Sequence, residues 1–250
     1  FKYYNALARL NIGVDIISCE EKLDKYDLVI APVLYMIKDG VAEKLEEFTK
    51  RGGTFITSFF SGYVDERDLV MTGGYPGKLR NLCGLWVEET DALLPGQENG
   101  FVVRTGPLAG VYPAVMLCDI IHPETAQTIA VYEKDFYAQT PAVCCNNFGK
   151  GKAWYMGAST PKNNSIFLEK FLLLITGELG IESVIPPQEG LEAVVRSKDG
   201  SDYVFLLNHS AKSLFISIPY RCLNLLNGTC FEKDQIVEIE QNGVIILEVK

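Results

Sequence analysis

Residues 28 to 62 read LVIAPVLYMIKDGVAEKLEEFTKRGGTFITSFFSG, and this stretch decides how the chain up to Gly180 is arranged. Leu28-Val29-Ile30-Ala31 is a short apolar run closed by Pro32, the pattern of a strand buried on both faces. Val41, Leu45 and Phe48 then recur at i, i+4 and i+7 and define a helix. Asp39 is placed to cap it, Glu43, Glu46 and Glu47 precede Lys50 and Arg51 as the helix dipole favours, and Gly52-Gly53 stops it. Thr54 to Ser58 is β-branched and aromatic, so a second strand follows. Strand, helix and strand at this spacing predict a βαβ unit with parallel strands and a right-handed crossover.

Upstream, Tyr3, Ala6, Leu7 and Leu10 share a helical face that Asn11 or Gly13 can end. Val14-Asp15-Ile16-Ile17 then reads as a strand, which puts a second βα repeat ahead of the first and predicts a doubly wound α/β sheet. Phe1 to Tyr4 enters the helical pattern with no capping residue, so the first helix is expected to continue from an upstream region.

Downstream, Pro76 to Cys83 predicts a short helix closed by Gly84, Leu85-Trp86-Val87 an extended segment, and Glu89 to Gly100 a surface loop. From there the pattern turns to β at residues 101–105, 114–121, 128–132, 141–145 and 152–157, with Gly149-Lys150-Gly151 in a turn. Ser165 to Gly177 is a helix apolar on most of its circumference, which needs cover on more than one side. Pro186-Pro187 marks a boundary between residues 1–185 and a small antiparallel β-sandwich domain over residues 188–250. In the latter, short alternating strands are punctuated by Lys198-Asp199-Gly200, Asn227-Gly228 and Asn242-Gly243, the last flanked as a hairpin requires. A core of that size is marginal, so this domain is expected to pack against something larger.

The 250 residues carry a net charge of -9 and no run of Lys and Arg, which excludes nucleic acid and anionic membrane as expected partners. No 18-residue apolar run and no signal peptide are found, so no membrane association is expected. Seven scattered cysteines, an odd number, do not form a disulfide framework and point to a reducing cytoplasm. The patterns beginning at Asn163, Asn208 and Asn227 match glycosylation sites, which matter only in a secreted protein.

The search for chemistry yields no catalytic, cofactor-binding or metal site. Ser61, before Gly62, stands where a nucleophile could stand after a buried strand, but reads as a turn serine. There is no C-x-x-C, and His122 and His209 are too far apart in sequence to announce a zinc site, so no cofactor is expected. Asp65-Glu66 and Glu88-Glu89-Thr90-Asp91 are carboxylate-rich, the second reading as a solvated charge run, and neither forms the converging pair that glycoside hydrolysis needs. His122-Pro123-Glu124 resembles the triplet of class I glutamine amidotransferases, yet the position of their cysteine falls on Phe60 and that of their triplet on Ala158-Ser159-Thr160. A free-standing amidotransferase-like hydrolase is therefore an alternative without its triad. A carbohydrate-binding module over residues 188–250, with Tyr203, Phe205, Phe215 and Tyr220 as its aromatics, is another.

The chain as a whole resembles the β-galactosidases of glycoside hydrolase family 42, in their trimerisation domain and the C-terminal β domain that follows it. The resemblance rests on Tyr4 to Leu7 with Gly13 to Ile17, Tyr26 to Pro32, Gly52 to Phe55 and Ser61 to Glu66. It continues through Cys118 to Ile121, Ala130 to Tyr132, Asp135 to Ala138, Pro141 to Val143, Gly149 to Gly151 and Asp202 to His209. It implies a class I glutamine-amidotransferase-like (flavodoxin-like) fold without the triad, a homotrimer, and a galactoside substrate bound through an upstream TIM barrel that carries both catalytic glutamates. No catalytic residue is carried over to this chain. The loops after Pro32 and Ser58 are expected to approach a neighbouring subunit.

Overall fold

The computed structural model describes residues 1–162 and 165–249, so the Asn163-Asn164-Ser165 pattern lies outside the described residues at both asparagines. Two compact units emerge, one of Ile17–Lys170 and one of Phe1–Ile16 with Phe171–Lys250. The chain opens on α1 (Lys2–Arg9), which buries Ala6 and Leu7. The strand expected at Val14 to Ile17 does not form: the backbone there runs free of any ladder and Ile16 is 86% exposed. An apolar run becomes a strand only where a neighbouring strand takes its backbone hydrogen bonds in a ladder, and residues 14–17 join no ladder.

The larger unit is built from β1 (Leu28–Ala31), β2 (Met36–Ile37), α2 (Val41–Lys50), β3 (Thr54–Ser58) and β4 (Val64–Asp65). After a 3-10 turn at Gly77–Leu79 come α3 (Arg80–Cys83), β5 (Leu85–Ala92), β6 (Asn99–Val103), β7 (Gly110–Ala114) and β8 (Leu117–Pro123). Then follow β9 (Gln127–Tyr132), β10 (Pro141–Phe148), β11 (Gly151–Met156) and α4 (Ile166–Glu178), whose last turns belong to the other unit. The strands of the βαβ unit pair in parallel as the sequence predicts, with Leu28 opposite Thr54, but β1 lies at the sheet edge and is half-buried along its length, not buried on both faces. Its helix starts differently: Gly40, at φ 78, occupies the capping position without a side-chain cap, and Asp39 pairs with Lys78 at 2.8 Å.

The doubly wound expectation is wrong. Seven strands form one mixed sheet in the order β1-β3-β11-β10-β9-β6-β7, and only β1, β3 and β11 run parallel. From β6 onward the pairs β6–β7, β9–β10 and β10–β11 are hairpins, the last across Gly149-Lys150, and β6 pairs antiparallel with β9; hairpins enforce antiparallel pairing. With α2 as the crossover helix between β1 and β3, the described residues hold no second layer of helices to wind a flavodoxin-like or amidotransferase-like fold. Every residue of β3 is buried, with Phe55 and Ile56 fully so, and Val41, Leu45 and Phe48 of α2 pack in the same core. At the other edge Phe167 of α4 meets Phe101 at 4.8 Å and Tyr112 at 4.9 Å between ring centres. The cover expected for α4 is incomplete, since Ile166 and Leu173 on one helical stripe are 62% and 55% exposed.

The smaller unit carries β12 (Leu191–Lys198), β13 (Ser201–Asn208), β14 (Leu214–Ser217), β15 (Cys222–Asn224), β16 (Cys230–Phe231), β17 (Ile236–Ile239) and β18 (Val244–Val249). They form a five-stranded antiparallel sheet, β12-β13-β18-β15-β16, and a two-stranded one, β14-β17. Asp199 and Gly200, both at positive φ, close the β12–β13 hairpin. Asn242-Gly243 does not close a hairpin; it is a corner, because β17 and β18 belong to different sheets. Buried Asn11, just past α1, donates to the Ile185 carbonyl at 3.1 Å and accepts from the Ala193 N–H at 2.9 Å, so the N-terminal helix is sewn onto the first strand of the β domain.

Candidate functional site

Two adjacent turns lie at the C-terminal ends of the parallel strands β1 and β3, where an open sheet presents its loops. They are tied edge to edge. Ser58 Oγ accepts from the Val33 N–H and Ser61 Oγ from the Leu34 N–H, both at 2.9 Å, and the N–H groups of Gly62 and Tyr63 donate to Leu34 and Tyr35. Both turns hold non-glycine residues in the left-handed region, Val33 at φ 52 and Phe60 at φ 59. For a β-branched residue such as Val33 this is a strained conformation, of the kind that persists where surrounding structure imposes it. What the strain presents is aromatic. Tyr35 and Tyr63 stack with ring centres 5.7 Å apart, Phe60 sits edge-on to Tyr63 at 5.8 Å, and Tyr75 supports Tyr63 from below at 5.4 Å. Tyr35 is 42% exposed, and Phe59, Phe60 and Tyr63 are half-buried.

Beneath this surface lies a carboxylate that the sequence reading passed over. Asp119 on β8 is fully buried. Its Oδ1 accepts hydrogen bonds from Thr90 at 2.7 Å and Tyr75 at 2.9 Å, and its Oδ2 from Tyr155 at 2.7 Å. The Tyr75 and Thr90 hydroxyls also touch each other. The register explains Thr90, which stands directly opposite Asp119 across the β5–β8 ladder after an irregularity between Val87 and Thr90. Burial is the largest influence on Asp119 and pushes it up to about 7, against the three hydroxyls, which pull it down. Next to it, Tyr137 donates to Asp91 at 2.7 Å and is itself bonded by Asn99 at 3.1 Å. Thr90 and Asp91 are thus part of an interior polar cluster and do not belong to the solvated run expected of them. An acid in the middle of the apolar run Leu117 to Ile121 was the available signal, since a lone carboxylate is rarely buried without partners.

The other sequence candidates are placed apart and engaged in structure. Ser61 is buried and accepts from Thr57 at 2.6 Å, and among the described residues no base is bonded to its hydroxyl. His122 ends β8, stacked on Trp86 at 4.3 Å and bonded to Glu88 at 2.8 Å, while Glu124 forms a fork with Arg80. His209 is bonded to Glu192 in the other unit. Asp65 accepts from the N–H groups of Leu69 and Arg67, which hold its carboxyl below the ordinary range. Burial pushes the thiols of Cys118 and Cys144 up to about 11 and about 12, so they stay protonated and inert. Tyr203, Phe205, Phe215 and Tyr220 are spread over β13, β14 and the turn before β15, and among the described residues no ring contact joins them. Among the described residues no group of His, Cys, Asp and Glu has a metal-binding arrangement, and no helix is long and apolar enough to cross a membrane. A groove of about 250 Å³ beside β7 is walled mainly by Val111, Tyr112, Pro113, Ile166 and Phe167, and of these lining groups only Lys170 brings a charge.

Comparison with known proteins accounts for this arrangement. Residues 1–182 match the family model described as beta-galactosidase trimerisation domain, and residues 190–248 that described as beta-galactosidase C-terminal domain. Among curated relatives, beta-galactosidase BgaP of Planococcus sp. (strain L4) is 48% identical over 248 residues, 98% of this chain and 36% of the relative. Beta-galactosidase Pbg of Clostridium perfringens is 39% identical, over 100% of this chain and 36% of its own length. The crystal structure of beta-galactosidase from Bacillus circulans sp. alkalophilus superposes on the whole chain with a TM-score of 0.94 at 44% identity, again using 37% of the larger protein. That likeness carries the mixed seven-stranded sheet with it and leaves no place for the doubly wound alternative. The chain therefore spans little more than a third of the relatives it matches.

Proposed function

Since the chain belongs to the β-galactosidases of glycoside hydrolase family 42, and corresponds to their non-catalytic trimerisation and C-terminal domains, we propose that it serves assembly: three copies join in a ring, and the turns after β1 and β3 are the surface each offers its neighbour. The observation that carries this is the strained aromatic turn pair, in which Val33 and Phe60 are held at positive φ and Tyr35 and Tyr63 are stacked at the surface. Conformational strain and exposed rings both need a reason, and a partner surface supplies one. A ring of three is closed by a heterologous contact, one patch meeting a different patch on the next copy.

Residues 1–185 would be the assembly domain and residues 188–250 the β-sandwich that follows, a division supported by the limits of the two family matches. The whole enzyme would cleave terminal β-D-galactosides with groups outside this chain, and none of the chain's residues would act as acid, nucleophile, metal ligand or cofactor ligand. A cytoplasmic setting is supported by seven cysteines that are not joined in disulfides. The test has two arms. The purified chain is expected to leave a chromogenic β-galactoside uncleaved, because retaining hydrolysis needs two carboxyl groups roughly 5 Å apart. Tyr35→Asp, which puts a charge on the exposed ring position, is expected to lower the assembly's mass in light scattering while leaving the far-UV circular dichroism unchanged. Turnover above buffer by the chain, or a Tyr35→Asp variant that assembles as the native chain does, would contradict the reading.

A further inference from the structure

The surface turn and the buried carboxylate are joined by one side chain. Tyr75 donates its hydroxyl to Asp119 at 2.9 Å and lays its ring 5.4 Å from Tyr63 and 6.5 Å from Phe60. Gly62, between those two rings, sits so close to the next residue of the Tyr75 segment that an added Cβ would lie 2.0 Å from the Pro76 carbonyl oxygen. Packed rings and a backbone contact thus connect the Tyr75 hydroxyl to the turn.

We propose that Asp119 is the positioning residue of the Tyr35–Tyr63 surface: ionised, it holds Tyr75 inward and the turn in one arrangement, and protonated, it releases both. The proposal rests on the reading of that surface as the contact with a second copy.

The groups around the carboxylate decide how its proton is felt. β5 turns Thr90 toward it and holds Asp91 alongside, bonded by Tyr137. β8 adds the neighbouring Cys118, β9 adds Tyr132, and β11 adds Tyr155 with Cys83 of α3 close by. The segment before the 3-10 turn adds Tyr75. Hydroxyls, and not a cation, answer the charge. A carboxylate offers only acceptors, so three donated hydroxyls suit it; once protonated it becomes a donor itself, and the hydroxyl that receives its proton must turn from donor to acceptor, which rearranges the set. Tyr155 is fully buried on a central strand, and Thr90 is fixed in the ladder opposite Asp119. Tyr75 lies outside any strand, joined to β5 by a single bridge at Val87. Though buried, it is the member least held by backbone pairing, and burial of Asp119 places the change near neutrality.

The tyrosine band in the near-UV circular dichroism of the full chain, followed from pH 5.5 to 8.5 with mass by light scattering at each pH, tests this. The native chain is expected to show a sigmoidal change with its midpoint near pH 7, and Asp119→Asn to show a flat profile. Tyr75→Phe is also expected to be flat, although its carboxylate still titrates, and a merely structural role for Asp119 would not make it so. A flat native profile, or an Asp119→Asn variant that keeps the transition, overturns the proposal. If Asp119→Asn does not reach the native far-UV spectrum, Tyr75→Phe decides alone: a persisting transition overturns the proposal and a flat profile supports it. A native chain that stays monomeric at every pH removes the assembly reading, whereas the tyrosine band still judges the role of Asp119.

Discussion

Between pH 4 and pH 8 the native chain is expected to lose about 4 kcal/mol of stability relative to its Asp119→Asn variant. The sign follows from where the proton binds. Burial raises the folded value from 3.8 to about 7, so over that window the folded chain holds a proton that the unfolded chain has released. Stability then falls as pH rises, because the state binding more protons is favoured by acid. About three pH units at ~1.4 kcal/mol each gives the magnitude. The contribution is fully present below the unfolded value and is gone above about 8. Exposed carboxyls such as Asp65, Glu20 and Glu124, whose values are lowered by N–H, Lys38 and Arg80 partners respectively, act in the opposite sense. They are common to both proteins and cancel in the comparison. Urea unfolding of the two proteins at several pH values measures it, and curves that stay parallel from pH 4 to 8 would refute the buried, cation-free account of Asp119.

Gly62→Ala is expected to cost about 3 kcal/mol or more, the second large effect. Two causes add. At φ 64 a Cβ is strained by roughly 1 kcal/mol or more, and here it would also lie 2.0 Å from a backbone oxygen that no side-chain rotation can move. The segment carrying Tyr75 and Pro76 would have to shift, taking the Asp119 hydrogen bond with it. Gly228, at φ 74 with nothing within 4 Å of an added Cβ, isolates the first cause. Gly228→Ala should therefore cost only about 1 kcal/mol. Thermal or urea unfolding of both variants separates the terms, and equal losses at the two glycines would show that the contact between the turn and Pro76 carries no strain.

The parts of the fold legible in the sequence are those set by local pattern. Leu28 to Ser58 states its strands and helix through an apolar run, a 3.6-residue period and a glycine stop, and the elements formed, although β1 is a half-buried edge strand and not one enclosed on both faces. Gly149-Lys150 and Asp199-Gly200 announce hairpins that the backbone makes. What failed was long-range. Val14 to Ile17 has the composition of a strand but joins no ladder, and Asn242-Gly243 has the chemistry of a hairpin turn but joins strands of different sheets. The doubly wound prediction extended the parallel order of one βαβ unit to strands that hairpins had already committed to antiparallel pairing. The aromatic turn was half legible: Tyr35, Phe59, Phe60 and Tyr63 stand out in turns, but nothing in the order of residues tells that Tyr35 stacks on Tyr63. Asp119 and its hydroxyls were illegible as a set. Tyr75, Thr90 and Tyr155 are brought to it by three different elements, and only the register of β5 against β8 puts Thr90 opposite the carboxylate.

The central claim is that this chain is an assembly module, and light scattering on its size-exclusion peak tests it most directly. A mass near three times 27.8 kDa is the predicted result, and a single copy of 27.8 kDa persisting at high micromolar concentration would contradict it.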